Sequence, residues 1–367
     1  MRPAILHLIP VLGGGGAERQ LFLLSVEQGK RGARVFVGVR RGGEYERAMR
    51  EQGVHVHFLG DHRSLSPLLL KNIRYLLRQL KPDIVQTWLP QMDVLGGFAA
   101  RGSGTPWVMT ERASGLAYST GSAAIWLRRW LGSRADAIVC NSRTGVRYWQ
   151  EQQVPDTRIR AVANALDIAA IRTAQPSSLD LGGAGRKLLL VVGRLHSQKA
   201  VDIVVRAVAA IEGGAAFKVL VLGDGPMREE LGGLVRRLGV ADRIEMRPYQ
   251  PSWWGLLQAA HALISVSRYE GHPNVVLESL AAGCPVILSD IPEHREFVAQ
   301  GAALWVPVDD PDALALMIRR VLAEGSEARE RAELARKCVE RLTIQASADA
   351  YEAIYEDLMG ISSACAG

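Results

Sequence analysis

The decisive stretch of this chain is Glu270-Gly271-His272-Pro273-Asn274-Val275-Val276-Leu277-Glu278, in which two carboxylates bracket a turn. Pro273, which lacks a donor N–H, and Asn274, a favoured N-cap residue, predict a helix over 275–282 that ends at Gly283. A helix N-terminus binds anions, whereas a neighbouring carboxylate suits sugar hydroxyls. The stretch therefore predicts a pocket for a ligand that carries both sugar and phosphate. The alternative is a capped surface helix with two solvated glutamates.

Short β-branched runs alternate with amphipathic stretches on both sides of this motif. In the first half, the predicted strands cover 4–8, 34–39, 54–58, 83–86, 107–110, 137–140 and 160–162. In the second half they cover 187–192, 218–222, 243–246, 262–265, 285–288 and 304–306. Helices are predicted at 17–30, 66–80, 144–152 and 345–358, among others. Such alternation is typical of parallel sheets, and here it predicts an α/β chain with two of them in series.

The domain boundary is expected between residues 164 and 186, where Pro176-Ser177-Ser178 and a run of glycines interrupt the periodic pattern. At 367 residues the chain exceeds the size at which one core usually gives way to two domains. We therefore predict domains at 1–165 and 166–344, followed by a C-terminal segment at 345–367.

Composition and charge limit the class of protein. No apolar run reaches the roughly 18 residues that a membrane-spanning helix needs, and the four cysteines show no C-x-x-C pairing. These features favour a cytoplasmic protein without a zinc site. Residues 1–165 hold 23 Lys and Arg against 12 Asp and Glu, whereas the remainder holds 21 against 26. The basic half suits anionic lipid headgroups, phosphorylated acceptors or nucleic acid, but no nucleic-acid motif is present.

A glycine run, Leu12-Gly13-Gly14-Gly15-Gly16-Ala17-Glu18, separates the first strand from the first helix. It predicts close backbone approach to an anion at Gly14, Gly15 and Gly16. Glu18 stands where a dinucleotide-binding turn would need its third glycine. Arg40 and Arg41 at the end of the second strand nevertheless leave an NADP-dependent oxidoreductase open. A tight strand-to-helix turn is the structural alternative.

Three further motifs follow strands of the second half. Arg194 and Lys199, five residues apart in Val191-Val192-Gly193-Arg194-Leu195-His196-Ser197-Gln198-Lys199, could both reach one pyrophosphate. Gly223 lies in a Gly-Asp-Gly-Pro turn that permits close backbone approach and is also a strong ordinary turn. Arg247 and Tyr249 follow the next strand, where Tyr249 is expected either to stack on a base or to pack.

Together these motifs strongly resemble those of retaining glycosyltransferases of family 4, which have the GT-B fold and a Glu-x7-Glu signature. The resemblance implies two Rossmann-like domains facing each other across a cleft, with the last helix crossing back to the N-terminal domain. It implies that Glu270 binds the donor sugar and Glu278 the ribose. The resemblance also implies that Gly14, Gly15, Gly16, Arg194, Lys199, Asn274 and Val275 bind the diphosphate, with Gly223, Arg247 and Tyr249 near the nucleotide. Ala200 replaces the family's usual glycine.

The resemblance implies hexose transfer, with retention, from a UDP- or GDP-linked sugar to a lipid-linked, lipopolysaccharide or polysaccharide acceptor. Without an Asp-x-Asp motif or a metal-ligand spacing, we expect no metal and no cofactor. On the acceptor side, Glu111 and Arg112 stand in the region where many members have a histidine. The segment 125–131, with two tryptophans and two arginines, suits an anionic membrane surface or a helix packed on its own domain. A GT-B sugar-nucleotide epimerase, a phosphorylase and a non-catalytic sugar-nucleotide-binding protein remain alternatives.

Overall fold

Parallel strands form two separate sheets in the computed structural model, which describes residues 3–62, 65–112, 118, 122–177, 185–213, 216–250 and 253–361. The chain divides into two units. Unit 1 comprises Met1–Ala165 and Leu342–Gly367, and unit 2 comprises Leu166–Arg341. The predicted α/β class with two Rossmann-like sheets is confirmed. None of the described helices is both long and apolar enough to cross a lipid bilayer.

Unit 1 contains a seven-stranded sheet in the order β3-β2-β1-β4-β5-β6-β7. Its strands are β1 (Ala4–Val11), β2 (Arg34–Arg41), β3 (His55–Phe58), β4 (Ile84–Trp88), β5 (Trp107–Glu111), β6 (Ala137–Cys140) and β7 (Ile159–Ala161). Its helices are α1 (Gly16–Lys30), α2 (Glu44–Glu51), α3 (Pro67–Leu80), α4 (Leu89–Ser103), α5 (Ala123–Gly132), α6 (Arg143–Glu151) and α15 (Ile344–Met359).

Both faces of the unit 1 sheet are covered by helices, which explains why its central strands read as nearly continuous apolar runs. On one face, side chains of α1, α2 and α15 pack against Ile5, Ile9 and neighbouring strand residues. On the other face, α3, α4, α5 and α6 pack against Leu6, Leu8 and Met109. Successive residues of β1 therefore enter different cores.

Unit 2 contains a six-stranded sheet in the order β10-β9-β8-β11-β12-β13. Its strands are β8 (Lys187–Val192), β9 (Phe217–Leu222), β10 (Ile244–Arg247), β11 (Ala260–Ser265), β12 (Val286–Ser289) and β13 (Leu304–Val306). Its helices are α7 (Ile168–Thr173), α8 (Val201–Ala209), α9 (Arg228–Arg237), α10 (Trp254–Leu257), α11 (Asn274–Ala282), α12 (Pro292–Phe297), α13 (Pro311–Ala323) and α14 (Ser326–Val339).

Local sequence accounts for several of these boundaries. Helix α13 begins at Pro311, and the carboxylate of Asp310 accepts a hydrogen bond from the Ala313 N–H, so that a good N-cap precedes proline at the first helical position. Helix α11 ends at Gly283, whose φ of 75° is the left-handed conformation that glycine adopts readily. Asn274 is the first helical residue of α11 and Pro273 occupies the cap position without a side-chain cap. The predicted N-cap role of Asn274 is therefore wrong.

A directed chain of buried hydrogen bonds joins α15 to the sheet of unit 1. Trp88 Nε1 donates to His7 Nδ1 at 3.2 Å, and His7 Nε2 then donates to Gln28 Oε1 at 2.9 Å. Gln28 Nε2 donates to the Tyr355 hydroxyl at 3.2 Å, and that hydroxyl donates to Gln86 Oε1. Burial lowers the pKa of His7 to about 4, which keeps the ring neutral at physiological pH.

Candidate active site

The strand order of unit 2 places a topological switch point between β8 and β11, which are neighbours in the sheet although β9 and β10 separate them in the chain. In open parallel sheets, ligands bind in the crevice outside the carboxyl ends of the strands at such a point. Lys199, after β8, and Glu270, after β11, meet there. Lys199 Nζ lies 2.5 Å from Glu270 Oε1.

Backbone contacts hold the two loops together around this ion pair. The Arg268 N–H donates to the carbonyl of Gln198 at 2.9 Å. The Gln198 side chain donates to the Tyr269 carbonyl at 2.8 Å. The predicted site residues Lys199 and Glu270 are therefore positioned by rigid loops as well as by their mutual charge.

Glu270 is almost completely buried and is held from a second direction by β11 and β12. Its Oε1 also accepts from Ser267 Oγ at 2.6 Å. The Ser267 carbonyl accepts from Ser289 Oγ at 2.6 Å, and His294 Nδ1 donates to the Ser289 carbonyl at 2.8 Å. Because that carbonyl can only accept, Nδ1 carries the ring proton. Ser267, Ser289 and His294 thus form a buried network behind Glu270.

Sequence reasoning did not assign this network. Neither His294 nor the two serines lie in a motif that marks a functional site. Burial lowers the pKa of His294, so the network is built from a neutral ring. Its members come from three segments, and only the packing of β11, β12 and α12 brings them together.

Gly223 is required because two strand-end loops approach closely. A Cβ at position 223 would lie 1.9 Å from the Gly193 carbonyl oxygen. A Cβ at Gly225 would lie 2.3 Å from the Leu195 carbonyl oxygen. Gly223 therefore supports the loop that carries Arg194 and Lys199, and its predicted contact with a nucleotide stays a prediction.

The other predicted donor residues of unit 2 lie at the same edge of the sheet. Arg194 is exposed on the loop after β8. Arg247 ends β10, where its Nε pairs with Glu245 Oε1 at 2.5 Å. The N–H of half-buried Tyr249 donates to Asp224 Oδ2 at 3.1 Å. Their roles toward a nucleotide stay predictions.

Helix α11 separates the two predicted carboxylates. Glu270 lies on the loop before it, Asn274 and Val275 form its first turn, and Glu278 lies one turn further. Glu278 is buried, and its Oε2 accepts from Trp254 Nε1 at 2.9 Å. A ribose at Glu278 would therefore contact a carboxylate that is already oriented by Trp254.

The glycine run lies at the corresponding switch point of unit 1, where β1 adjoins β4. Gly15 is the cap position of α1 and Gly16 its first residue, whereas Gly14 is exposed before the helix. None of these described glycines has a positive φ. The backbone conformation therefore does not require glycine here, although a Cβ at Gly15 would lie 2.3 Å from Glu18 Oε2. The predicted approach of an anion to Gly14, Gly15 and Gly16 stays a prediction.

Glu111 lies in a buried cluster of unit 1. Its Oε2 accepts from Arg128 Nη1 at 2.9 Å and from Trp149 Nε1 at 3.0 Å, and the Tyr118 hydroxyl donates to Oε1. Arg128 also pairs with Asp93 at 2.7 Å, and the three charged side chains are at most 1% exposed. The predicted acceptor-side role of Glu111 stays a prediction.

Arg112 is oriented within unit 1 by two neighbours. Its Nη2 donates to Asn164 Oδ1 at 2.5 Å, and its guanidinium lies 5.1 Å from the centroid of the Trp88 ring. Its predicted acceptor-side role stays a prediction. Among the described residues, no three His, Cys, Asp or Glu side chains are grouped to hold a metal ion.

Comparisons with known proteins cover both units. Residues 14–170 match the family model described as Glycosyltransferase Family 4, and residues 182–338 match the model described as Glycosyl transferases group 1. A lipopolysaccharide core biosynthesis glycosyltransferase, LpsE of Rhizobium meliloti (strain 1021), is 26% identical over 360 residues. That alignment covers 94% of this chain and 96% of the relative.

Solved structures share the fold. The structure of Anabaena Alr3699/HepE in complex with UDP-glucose has a TM-score of 0.85 and 19% identity, covering 98% of this chain and 100% of that one. The lipopolysaccharide outer core galactosyltransferase WaaB, in its apo form, has a TM-score of 0.71 and 19% identity, with coverage of 96% and 99%. The similarity identifies the architecture as GT-B.

Proposed function

Since the chain is a glycosyltransferase, with both units matched by glycosyltransferase family models, we propose that it transfers a hexose, with retention, from a UDP- or GDP-linked sugar. The acceptor in this proposal is a lipid-linked, lipopolysaccharide or polysaccharide glycan, reached by peripheral contact with an anionic membrane. The observation that carries the proposal is the Lys199–Glu270 ion pair at the switch point of unit 2. It joins a cation suited to phosphate and a carboxylate suited to sugar hydroxyls.

The chemistry requires stabilisation of a departing diphosphate. As the bond from the anomeric carbon to the phosphate oxygen breaks, negative charge grows on the phosphate. Preorganised cations and backbone N–H groups stabilise such charge most effectively. In the proposal, Arg194, Lys199 and the first turn of α11 take this role, Glu270 binds donor-sugar hydroxyls and Glu278 binds the ribose.

Retention is proposed to proceed by departure and attack on the same face of the sugar. The leaving phosphate would accept the proton of the acceptor hydroxyl, so that the new glycosidic bond forms as the diphosphate leaves. Glu270 is paired with Lys199 and buried, which suits a binding carboxylate better than a nucleophile. The resemblance to family 4 enzymes supports the same assignment.

The names of relatives support the choice of substrates. LpsE and LpsD of Rhizobium meliloti are both named as lipopolysaccharide core biosynthesis glycosyltransferases, and LpsD is 27% identical over 330 residues. The HepE structures contain UDP or UDP-glucose. These names favour a UDP-sugar over a GDP-sugar as the first donor to test.

A donor panel tests the proposal directly. Thermal-shift measurements with UDP, GDP, their common hexose conjugates and NADP should show stabilisation by one nucleotide family. Product formed from the selected donor should then carry the donor's anomeric configuration in its NMR spectrum. Stabilisation by NADP alone, or an inverted product, would overturn the proposal.

A further inference from the structure

Three neighbouring helices of unit 1 carry basic residues and no exposed acidic residue within their bounds, although the exposed Asp83 and Asp136 lie just beyond α3 and α5. Helices α3, α4 and α5 lie side by side on one face of the sheet, with α4 in contact with both neighbours. The only acidic residue within these three helices is Asp93, which is buried and paired with Arg128. Lys71, Arg74, Arg78 and Arg101 are exposed, and Lys81 and Arg134 extend the basic surface just beyond α3 and α5.

Three of these cations surround one groove. Arg74, Arg78 and Lys81 line an open depression of about 640 Å³ between the C-terminal parts of α3 and α4. The other lining residues are apolar, glycine, serine or threonine, so no carboxylate neutralises the groove. Such an arrangement suits a phosphate-bearing surface.

Large apolar side chains are exposed on the same layer. Trp126 on α5 is 65% exposed and Tyr75 on α3 is 63% exposed. Along α3, Leu68, Lys71, Tyr75 and Arg78 follow one another at intervals of three and four residues, which places them on one stripe. Just beyond α5, Arg134 places its guanidinium 4.2 Å from the centroid of the ring of Trp130, a partly exposed residue of α5. Aromatic and cationic side chains together favour the headgroup region of a bilayer.

The opposite helical layer of unit 1 differs in charge. Helix α15 carries Asp349, Glu352, Glu356 and Asp357 and no basic residue, and α2 carries Glu44, Glu46 and Glu51 beside Arg47 and Arg50. Among the helices of unit 1, the excess of basic over acidic residues is therefore concentrated on α3 and α5.

We propose that the exposed face of α3, α4 and α5, with Lys81 and Arg134, docks unit 1 on an anionic membrane surface. Lipid phosphates occupy the groove at Arg74, Arg78 and Lys81, while Trp126 and Tyr75 enter the interfacial region. This inference deepens the proposed function, on which it rests for its lipid-linked acceptor, by naming the face and the headgroup chemistry. Binding itself is measured independently of sugar transfer.

Flotation of the full chain with phosphatidylcholine vesicles, with and without phosphatidylglycerol, provides the test. The protein should float with the anionic vesicles and not with the neutral ones, and added salt should weaken binding. Each basic residue near such a surface strengthens binding about fivefold. The triple variant Arg74→Gln, Arg78→Gln, Lys81→Gln should therefore bind at least tenfold more weakly.

A matched triple, Arg47→Gln, Arg206→Gln, Arg237→Gln, removes the same net charge from exposed positions outside this face and should bind within about twofold of wild type. Trp126→Ala should also weaken binding. Equal losses in the two triples, or no effect of Trp126→Ala, would overturn the proposal. Preferential binding of a short RNA duplex over anionic vesicles would do so as well.

Two readouts separate this inference from the proposed function. Donor-induced thermal shifts and transfer to a water-soluble acceptor glycan should be unchanged in the Arg74, Arg78, Lys81 triple. If wild type transfers sugar but does not float with anionic vesicles, only the docking inference fails. If wild type floats but neither binds nor uses any sugar nucleotide, only the proposed function fails.

Discussion

Lys199 Nζ and Glu270 Oε1 lie 2.5 Å apart although 71 positions separate the two residues in the chain. The pair joins the loops after β8 and β11, so each side chain is oriented by a different strand. A diphosphate would compete with Glu270 for Lys199, and a sugar hydroxyl would replace the lost contact on Glu270. The ion pair thus preorganises both groups in the proposed site.

Loss of either partner should reduce catalysis far more than stability. In Lys199→Ala and Glu270→Gln, we expect kcat to fall by about 100-fold or more, because a preorganised charge at the departing phosphate or the sugar is lost. Steady-state kinetics and urea denaturation measure the two effects. Lys218→Ala is the matched control, since Lys218 also lies 2.5 Å from a glutamate, Glu245, in unit 2. Wild-type turnover in Lys199→Ala would refute the site.

A methyl group at position 223 should disturb the donor loop. In Gly223→Ala, the added Cβ would overlap the Gly193 carbonyl, and we expect a loss of about 1–3 kcal/mol in unfolding free energy from the forced backbone shift. Donor affinity should fall at the same time. In Gly232→Ala, within α9, the added Cβ would lie 3.6 Å from Arg236 Nη1 and from Met246 Cε, and the variant should instead be more stable by about 0.5–1 kcal/mol. Donor titration and denaturation of both variants provide the comparison.

His294 should act through its Nδ1–H. An asparagine amide can supply that donor to the Ser289 carbonyl, so His294→Asn should retain kcat within about threefold. His294→Leu cannot supply it and should lower kcat about fivefold, as removal of one positioning hydrogen bond costs about 1 kcal/mol. Measuring kcat and KM for both variants separates positioning from packing. Equal activity of the two variants would show that the hydrogen bond does not orient Glu270.

The buried His7 should make stability depend on pH in a defined window. Burial lowers its pKa in the folded protein to about 4, against 6.5 for an exposed histidine. Between these two pH values, the unfolded chain therefore binds one more proton than the folded protein. Stability from this group is full above pH 6.5 and falls by about 3 kcal/mol as pH falls to 4. His7→Gln retains an acceptor and a donor but cannot titrate.

Urea denaturation of wild type and His7→Gln at pH 4.5 and 7.5 tests this prediction. Comparing the two proteins isolates His7 from Asp93, whose pKa burial raises to about 6 and whose stabilising contribution is instead lost as pH rises. The difference in unfolding free energy between the proteins should change by about 2–3 kcal/mol between the two pH values. An unchanged difference would contradict the neutral, buried ring.

Strand positions were predictable from local sequence. The strands at 137–140, 187–192 and 304–306 have the predicted bounds. The first two are short apolar runs that end at polar or glycine residues, and Pro307 ends the third. Other boundaries moved by one to three residues, and Asn274 proved to be the first residue of α11 rather than its cap. The exact bounds of helices and strands depend on backbone hydrogen bonds, which residue propensities do not predict.

The site was only partly predictable. Lys199 and Glu270 carry recognisable motifs, and the β/α alternation indicated that both follow strands of one sheet. Their direct pairing, and the network through Ser267, Ser289 and His294, depend on strand order. The position of Glu111 after β5 suggested an acceptor contact, but its buried ion pair with Arg128 on α5 was not predicted. Because Glu111 and Arg128 are 17 positions apart in the chain, their ion pair leaves no pattern in the local sequence.

The hydrogen bonds of Tyr355 with Gln28 on α1 and Gln86 on β4 impose an order on biosynthesis. Every residue of unit 2 is translated before residue 342, so its core can close while the chain is still being made. Unit 1 begins first but must wait for α15, with Tyr351, Ile354 and Tyr355 as missing parts of its core. Unit 2, whose synthesis starts second, is therefore the first unit that can finish folding on the ribosome.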